Sequence, residues 1–507
     1  MADRSPRYQS KSASPQIKRV RPNRLESSSQ SAIAGLWLAA GWIIPIASDF
    51  DFRRLVITGP LCLVGVMVAI GGRKPISGST ALFFIALLLI GLASSAAGSL
   101  TSWNLLEVAY TLLLALVATY GVAPALIGLP LRPERLILLT TATPIVLACL
   151  SAAIAIYASL LSNFPLRFPE PIGNYGNIRF FNQYQTWLLP FLATALALLN
   201  PLTRARRGFW IASIFAVGIF FWALYWRSGG RGTGYATLLA TTAVILLHGR
   251  AGIRHAMLMA LLAAAGYIAY LVMCFHGGQG PTDHLLSTSP NGRLYLWRIA
   301  IEYIRLHPWL GIGPMQFAAI DTGLASHPHN AVLQWAVEWG LPAAALFVSG
   351  IGYLYFKWIG IARRLVTRDD SSIPPALVVA VTASLIAGGI HAMVSGVIDM
   401  PASQFILVTV AGLAGRIALT AEPARVNDYC PTRFDAAIDL VVRAIVLTAS
   451  LYVGVFTAYD YWHRPHSPKP ASAVYLRNTY QPRYWLDGTL TGLTPHPLPP
   501  RVSRKSD

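Results

Sequence analysis

Charge is scarce in this chain. Only 12% of its 507 residues are Asp, Glu, Lys or Arg, about half the share usual in soluble domains. Acids are scarcer than bases, 21 Asp and Glu against 40 Lys and Arg. With 54% hydrophobic residues and a mean hydropathy of +0.51, too few polar side chains remain to cover a water-soluble surface, which excludes an ordinary soluble enzyme. Cysteine is nearly lacking. Cys62, Cys149, Cys274 and Cys430 have no paired spacing, which argues against a disulfide framework and a structural zinc site. There is no internal repeat, coiled-coil heptad or Walker-type loop, so an ATP-driven pump has no support. No acidic pair or histidine cluster offers a metal site, and neither metal nor cofactor is expected.

What the chain does have is long apolar runs, each near the roughly 20 residues that cross a bilayer as helix. They fall at 31–48, 55–71, 78–98, 107–129, 136–161, 183–199, 209–226, 234–248, 254–275, 341–359, 375–399, 402–420 and 436–459. The expected fold is therefore all-α: a polytopic membrane protein of about thirteen transmembrane helices. Residues 1–30 are polar and basic and read as a disordered cytoplasmic tail. Residues 31–460 form the membrane domain, with a large outer loop at 276–330 that carries short helices, and 461–507 form an outer C-terminal tail. With the N-terminus in the cytoplasm, Arg73/Lys74, Arg132/Arg135, Arg204/Arg206/Arg207, Arg250/Arg254, Arg363/Arg364/Arg368 and Arg425/Arg433 all lie inside. The net charge of +19 is thus a topology signal, and nucleic acid is not an expected partner. Three outer stretches break the pattern: Arg53/Arg54, the 226–234 turn, and the 276–330 loop, in which Leu294, Trp297, Ile301 and Ile304 predict an amphipathic surface helix.

Those outer stretches hold the candidate chemistry. The segment Ser326-His327-Pro328-His329-Asn330 opens a helix with polar Gln334 and Glu338, and places histidines near water, where a neutral imidazole can take a proton from a hydroxyl. The turn Trp226-Arg227-Ser228-Gly229-Gly230-Arg231-Gly232-Thr233-Gly234 combines two arginines with four glycines, a composition that lets backbone N–H groups and guanidinium forks approach a pyrophosphate. Arg293, at the start of the surface helix, offers a second clamp, and Arg179 lies on the same side. His391 and Asp399 sit at the outer end of the eleventh span; helix packing is an equally good account of them. So many cations with few outer acids imply an anionic, lipid-embedded ligand such as a polyprenyl diphosphate.

In order and spacing, Gly230-Arg231-Gly232, then Gly292-Arg293 with Trp297, then His307-Pro308-Trp309-Leu310-Gly311-Ile312-Gly313-Pro314, then His329-Asn330 with Leu333, Gln334, Glu338 and Gly340 resemble the O-antigen ligase and polymerase superfamily of bacterial inner-membrane glycosyltransferases. The resemblance spans about residues 170–420. It implies a multi-span glycosyltransferase with an undecaprenyl-diphosphate-linked glycan as donor and a glycan or lipid A core as acceptor, and it implies metal-independent, inverting transfer at the periplasmic face. By this likeness His329 is the base and Arg231 and Arg293 hold the diphosphate. Arg179 and Arg227 assist the donor, and His327, Asn330, Glu338, His391 and Asp399 serve the acceptor or orient the site. The chain departs from the family in having Gly230 where a serine is usual. Polymerisation of O-antigen or exopolysaccharide and glycan transfer to protein are alternative activities of the same superfamily. Outside it stand a lipid or anion transporter and a non-catalytic scaffold.

Overall fold

In a computed structural model of the chain, each of the thirteen expected apolar segments lies on a helix. The structure describes residues 24–47, 49–71, 78–98, 101–129, 131, 133–162, 175, 177–197, 204–277, 292–320, 322–368, 373–421, 432–463, 483–485, 496 and 498–499. The basic stretch 1–23, Arg73/Lys74, Arg132, Arg167, Arg425 and Cys430 lie outside them. The helices are α1 (Arg24–Ile43), α2 (Phe50–Gly71), α3 (Gly78–Ala97), α4 (Ser102–Leu116), α5 (Ala123–Gly128), α6 (Pro133–Ile137), α7 (Thr143–Leu161), α8 (Ile178–Ala197), α9 (Arg204–Ser228), α10 (Arg231–His248), α11 (Arg250–Gly277), α12 (Arg293–Leu306), α13 (Ala331–Trp339), α14 (Leu341–Thr367), α15 (Pro375–Ala392), α16 (Pro401–Ala421) and α17 (Arg433–His463). There is no β-strand among the described residues.

Two pairs join into single rods through π-helical turns, Val117–Val122 before α5 and Leu138–Ala142 before α7. Each turn stands just ahead of a proline, Pro124 or Pro144. A proline lacks the N–H and its ring crowds the carbonyl four residues back, so the wider turn accommodates it without ending the helix.

Among the described residues, ten helical rods are long and apolar enough to cross a membrane. Helices α1, α8 and α10 are the expected spans outside that set. For α8 and α10 the reason is local: α8 opens with Arg179, Asn182, Gln183 and Gln185, and α10 with Arg231 and Thr233. Polar side chains inside a membrane domain are costly and mark function. The bundle has two groups. Helices α1, α2, α4, α5 and α17 pack together, as do α8, α9, α10, α11 and α15, and α16 touches both.

Three expectations change. The eleventh span ends at Ala392, not at residue 399, and residues 393–400 form turns, with Asp399 N–H donating to the Gly396 carbonyl at 3.1 Å. Asp399 thus belongs to a turn. The surface helix exists as α12, but Leu296, Ile299, Ala300 and Tyr303 are its buried face, while Leu294 and Ile301 are exposed. Both stripes have helical spacing, and packing against Phe317, Ile320 and Val337 selects the first. The first helix begins at Arg24, within the stretch read as tail.

The trend-breaking Arg53 and Arg54 have a structural reason. Arg53 Nε and Nη2 donate to the Ile44 and Ala47 carbonyls at 2.8 and 2.5 Å, closing the end of α1. Arg54 Nη1 donates to Gln404 Oε1 at 2.5 Å and Nη2 to the Asp399 carbonyl at 2.6 Å. Both are buried.

Candidate active site

The His-Asn segment is shaped by its own capping chemistry. Asn330 is the N-cap of α13: its Oδ1 accepts the Leu333 N–H at 2.9 Å, which satisfies a backbone donor that the helix leaves open. Its Nδ2 donates to the Met393 carbonyl at 3.0 Å, tying the helix start to the end of α15. Just before the cap, His329 has φ +56°, a left-handed conformation that costs a side-chain-bearing residue about 1–3 kcal/mol and persists only where surroundings enforce it. The enforcers are visible. The His329 N–H donates to His327 Nδ1 at 3.2 Å, Trp297 Nε1 donates to the Pro328 carbonyl at 3.0 Å, and the His327 and His329 rings meet edge to face at 4.2 Å.

The bonding fixes proton positions. Because His327 Nδ1 accepts the His329 N–H, His327 is the neutral Nε2–H tautomer. Burial, with the charge of Arg483, pushes it down to about 3. Its 3.7 Å approach to Asp399 Oδ2 is therefore not an ion pair. His329 is held well below the usual histidine range, first by burial and then by His327, Arg293 and Arg179, with Asp399 opposing. It is neutral at neutral pH, as a base must be. Its Nδ1 has no hydrogen-bond partner among the described residues.

Two arginines, Arg293 and Arg179, bear on this imidazole, and Arg231 bears on both of them. Arg293 is the first residue of α12, after Gly292 at φ +72°. Burial lowers it to about 10, helped by the charges of Arg179 and Arg231. Arg231 opens α10, and hydroxyls brace its turn: Ser228 Oγ donates to Asn182 Oδ1 at 2.6 Å, and Thr233 Oγ1 to the Asn182 carbonyl at 2.8 Å. Thr186 Oγ1 lies 2.9 Å from Thr233 Oγ1 and 2.7 Å from His391 Nδ1. A Cβ on Gly230 would strike the Asn182 side chain, and one on Gly232 would strike the His391 ring. The glycines are required by close approach. His391 stands behind the Arg231 turn as a brace. Arg227, on the last turn of α9, is not among the charges acting on Arg293 or His329.

Sequence reasoning named Glu338 and Asp399 but missed Arg483 and Glu107, which stand beside them. Arg483 comes from the C-terminal tail and is 2% exposed. Its Nη2 donates to Glu338 Oε2 at 2.6 Å, its Nη1 lies 3.3 Å from Asp399 Oδ1, and Glu107 Oε1 is 3.6 Å away. These carboxylates raise Arg483 above the ordinary arginine value although burial opposes them. Glu338 is raised to about 8, by burial first, with Arg483 pulling down and Glu107 and Asp399 pushing up. Its Oε1 also accepts the Phe317 N–H at 3.2 Å. Gln334 Nε2 donates to Asp399 Oδ1 at 2.9 Å. Glu338, expected to serve the acceptor or to orient the site, thus bonds Arg483 and backbone. No pattern in the tail marked Arg483, and Glu107 was one acid in an apolar helix.

The run from His307 to Pro314 closes the far end of α13. Ile312 and Gly313 N–H donate to the Val337 and Glu338 carbonyls, each at 2.9 Å, and Leu341 N–H donates to the Pro308 carbonyl at 2.8 Å. Gly311 and Gly340 have φ +66° and +89°, and their Cβ positions are filled by facing backbone. That motif is architectural.

Residues 192–348 match the family model described as O-antigen ligase. The match takes in Arg231, Arg293, His327, His329, Asn330 and Glu338, and leaves Arg179, His391, Asp399 and Arg483 outside it. No curated protein matches the chain. Over residues 192–348, this all-helical, multi-pass membrane protein is similar to the O-antigen ligase family.

Proposed function

We propose that the protein transfers a glycan from undecaprenyl diphosphate to a hydroxyl of a lipid A core or another glycan, at the periplasmic face of the inner membrane, with its N-terminus in the cytoplasm. The observation that carries this reading is the grouping of Arg179 and Arg293 beside neutral His329, with Arg231 next to both arginines. Like charges so placed repel, and an anion relieves them. The acceptor oxygen attacks the anomeric carbon as the carbon–oxygen bond to diphosphate breaks. Attack from the face opposite the leaving group inverts the centre. The hydroxyl proton passes to His329, and undecaprenyl diphosphate departs as an anion held by the guanidinium groups, so arginine charge does the work without a metal.

Donor binding would also prepare the base. Arg293 and Arg179 both depress His329, so a diphosphate that offsets their charge raises its proton affinity when the acceptor arrives.

The test uses purified protein in lipid, a verified lipid-linked glycan donor and candidate acceptors, with release of undecaprenyl diphosphate and product size as readouts. Wild type should turn over and His329→Ala should not. A single discrete product shift indicates a ligase and a ladder a polymerase. Equal turnover by both proteins would remove His329 from the mechanism, while no turnover by wild type would favour transport or scaffolding.

A further inference from the structure

The C-terminal tail returns to the catalytic end as a plug of three described residues, Arg483, Tyr484 and Trp485. Tyr484 and Trp485 fix it without help from the Arg483 side chain. Tyr484 OH lies 2.6 Å from Thr457 Oγ1 on α17, and the Tyr484 carbonyl accepts from Arg54 Nε at 2.9 Å. The Arg54 guanidinium sits 4.7 Å from the centre of the Tyr484 ring. Trp485, fully buried, donates from Nε1 to Asp460 Oδ2 at 2.6 Å. The plug thereby delivers one guanidinium into a chamber of three carboxylates: Glu107 from α4, Glu338 from α13 and Asp399 from the turn before α16. The neighbouring cation, Arg54 from α2, directs its donors to the Tyr484, Asp399 and Arg483 carbonyls, Gln404 and Tyr110.

We propose that Arg483 is a positioning residue for the transfer reaction: it fixes Asp399 and Glu338, and through Asp399 and His327 it holds the left-handed turn that presents His329. This rests on the transferase reading above. The chain of contacts is continuous. Arg483 faces Asp399 and Glu338; Asp399 accepts from Gln334 on α13 and faces His327; His327 accepts the N–H of His329. The last link exists only while His327 Nδ1 is unprotonated. Asp399 pulls a proton towards His327, and Arg483, on the other side of Asp399, pushes it away.

Removing the guanidinium therefore lets His327 take a proton at higher pH. A protonated Nδ1 donates to Asp399 Oδ2 and can no longer accept from His329, and the strained turn loses its restraint. Groups facing this pair are Glu107, Glu338, Asp399, Arg54, Arg293, Arg179 and His329. Of the cations, Arg483 alone contacts Asp399's carboxylate among the described residues.

The test compares wild type with Arg483→Gln, Arg483→Lys and the charge-compensated pair Arg483→Gln with Glu338→Gln, in lipid, by release of undecaprenyl diphosphate against donor concentration and pH. Displacement of a reacting group by an ångström costs on the order of 100-fold, so Arg483→Gln should lower kcat by about 10- to 100-fold while donor KM stays within about threefold. Its acid limb should move to higher pH. Arg483→Lys should retain the wild-type pH profile, and the compensated pair should recover about tenfold of the loss. Thermal unfolding of each variant in the same lipid counts the folded fraction. Wild-type kcat and pH profile per folded molecule in Arg483→Gln would overturn the proposal, as would a loss that tracks folded fraction alone. A wild type that releases nothing from a verified donor sinks the transferase reading, and this inference with it; that outcome is read in the wild-type lane, apart from any variant.

Discussion

Gly232→Ala is the sharpest probe of how the Arg231 turn is held. A methyl at residue 232 would lie 2.5 Å from His391 Nε2 and 2.8 Å from Cδ2. Ordinary contact begins near 3.4 Å, so ring and helix must part by about 1 Å. His391 cannot retreat without giving up its 2.7 Å contact with Thr186 Oγ1, which also braces Thr233 at 2.9 Å. The helix term has the opposite sign: Gly232 lies in α10, where alanine is favoured over glycine by about 0.5–1 kcal/mol. A defect must therefore come from the collision. Overpacking costs about 1–3 kcal/mol, which, borne by the transition state, is a rate loss of about 5- to 150-fold. The assay is a double-mutant cycle on kcat/KM for donor. Gly232→Ala should fall within that range and His391→Ala by a few-fold, and the double variant should resemble His391→Ala because the obstacle is gone. If Gly232→Ala is harmless, or the double variant shows the two losses added, His391 is not a packing brace for this turn.

Arg231→Lys keeps the charge and removes the fork, so kcat/KM for donor should fall at least about tenfold; unchanged activity would count against bidentate diphosphate binding. The pH dependence should differ between the two rate parameters. His329 must be neutral to act, so activity is lost as pH falls through its pKa; since the diphosphate offsets the arginines that depress it, the acid limb of kcat should lie at higher pH than that of kcat/KM, and coincident or reversed limbs would contradict that coupling. Asn330→Ala removes an N-cap and the bond to the Met393 carbonyl, and should lower stability by about 1–2 kcal/mol. Asn330→Asp should keep the cap but not the second bond, giving an intermediate Tm in thermal unfolding; equal Tm for both variants would show that the cap contributes nothing, and a wild-type Tm in Asn330→Asp that the bond to Met393 contributes nothing.

The fold was legible because bilayer thickness imposes a length on each apolar run, and the rods sit where the runs do. Boundaries failed where tertiary contact ended a helix inside a run. The 393–400 turns are apolar enough to pass for span, yet Gly396 must leave room for the His327 ring, which any Cβ there would enter. His329 and the outer arginines could be singled out as candidates because each lies in a short local pattern whose chemistry can be read from neighbours. Arg483 could not. It meets Glu338 across 145 residues of chain, from a Pro-, Arg- and Tyr-containing tail with no periodicity, and a charge pair of that kind leaves no trace in either segment. The buried face of α12 was missed for a related reason: two stripes share helical spacing, and only the partner surface decides between them.

The outer arginines divide by what surrounds them. Arg53 and Arg54 meet backbone carbonyls, an amide oxygen and aromatic rings, Arg53 lying 4.1 Å from the centre of the Tyr175 ring. Arg483 meets carboxylates. All three find partners within the protein, and each closes a join between helices. Arg179 and Arg231 both bear on Arg293, and Arg293 and Arg179 bear on His329, which burial above all keeps neutral. On the proposed reading, like charges held together cost stability at that point, and an anionic donor restores it. Carboxylates were available, since three sit behind His327. They are turned to Arg483, which meets Glu338 and Asp399, and Asp399 in turn faces His327. On the proposed reading the acids beside Arg483 set the proton on His327, and the arginines beside His329 take the donor's diphosphate.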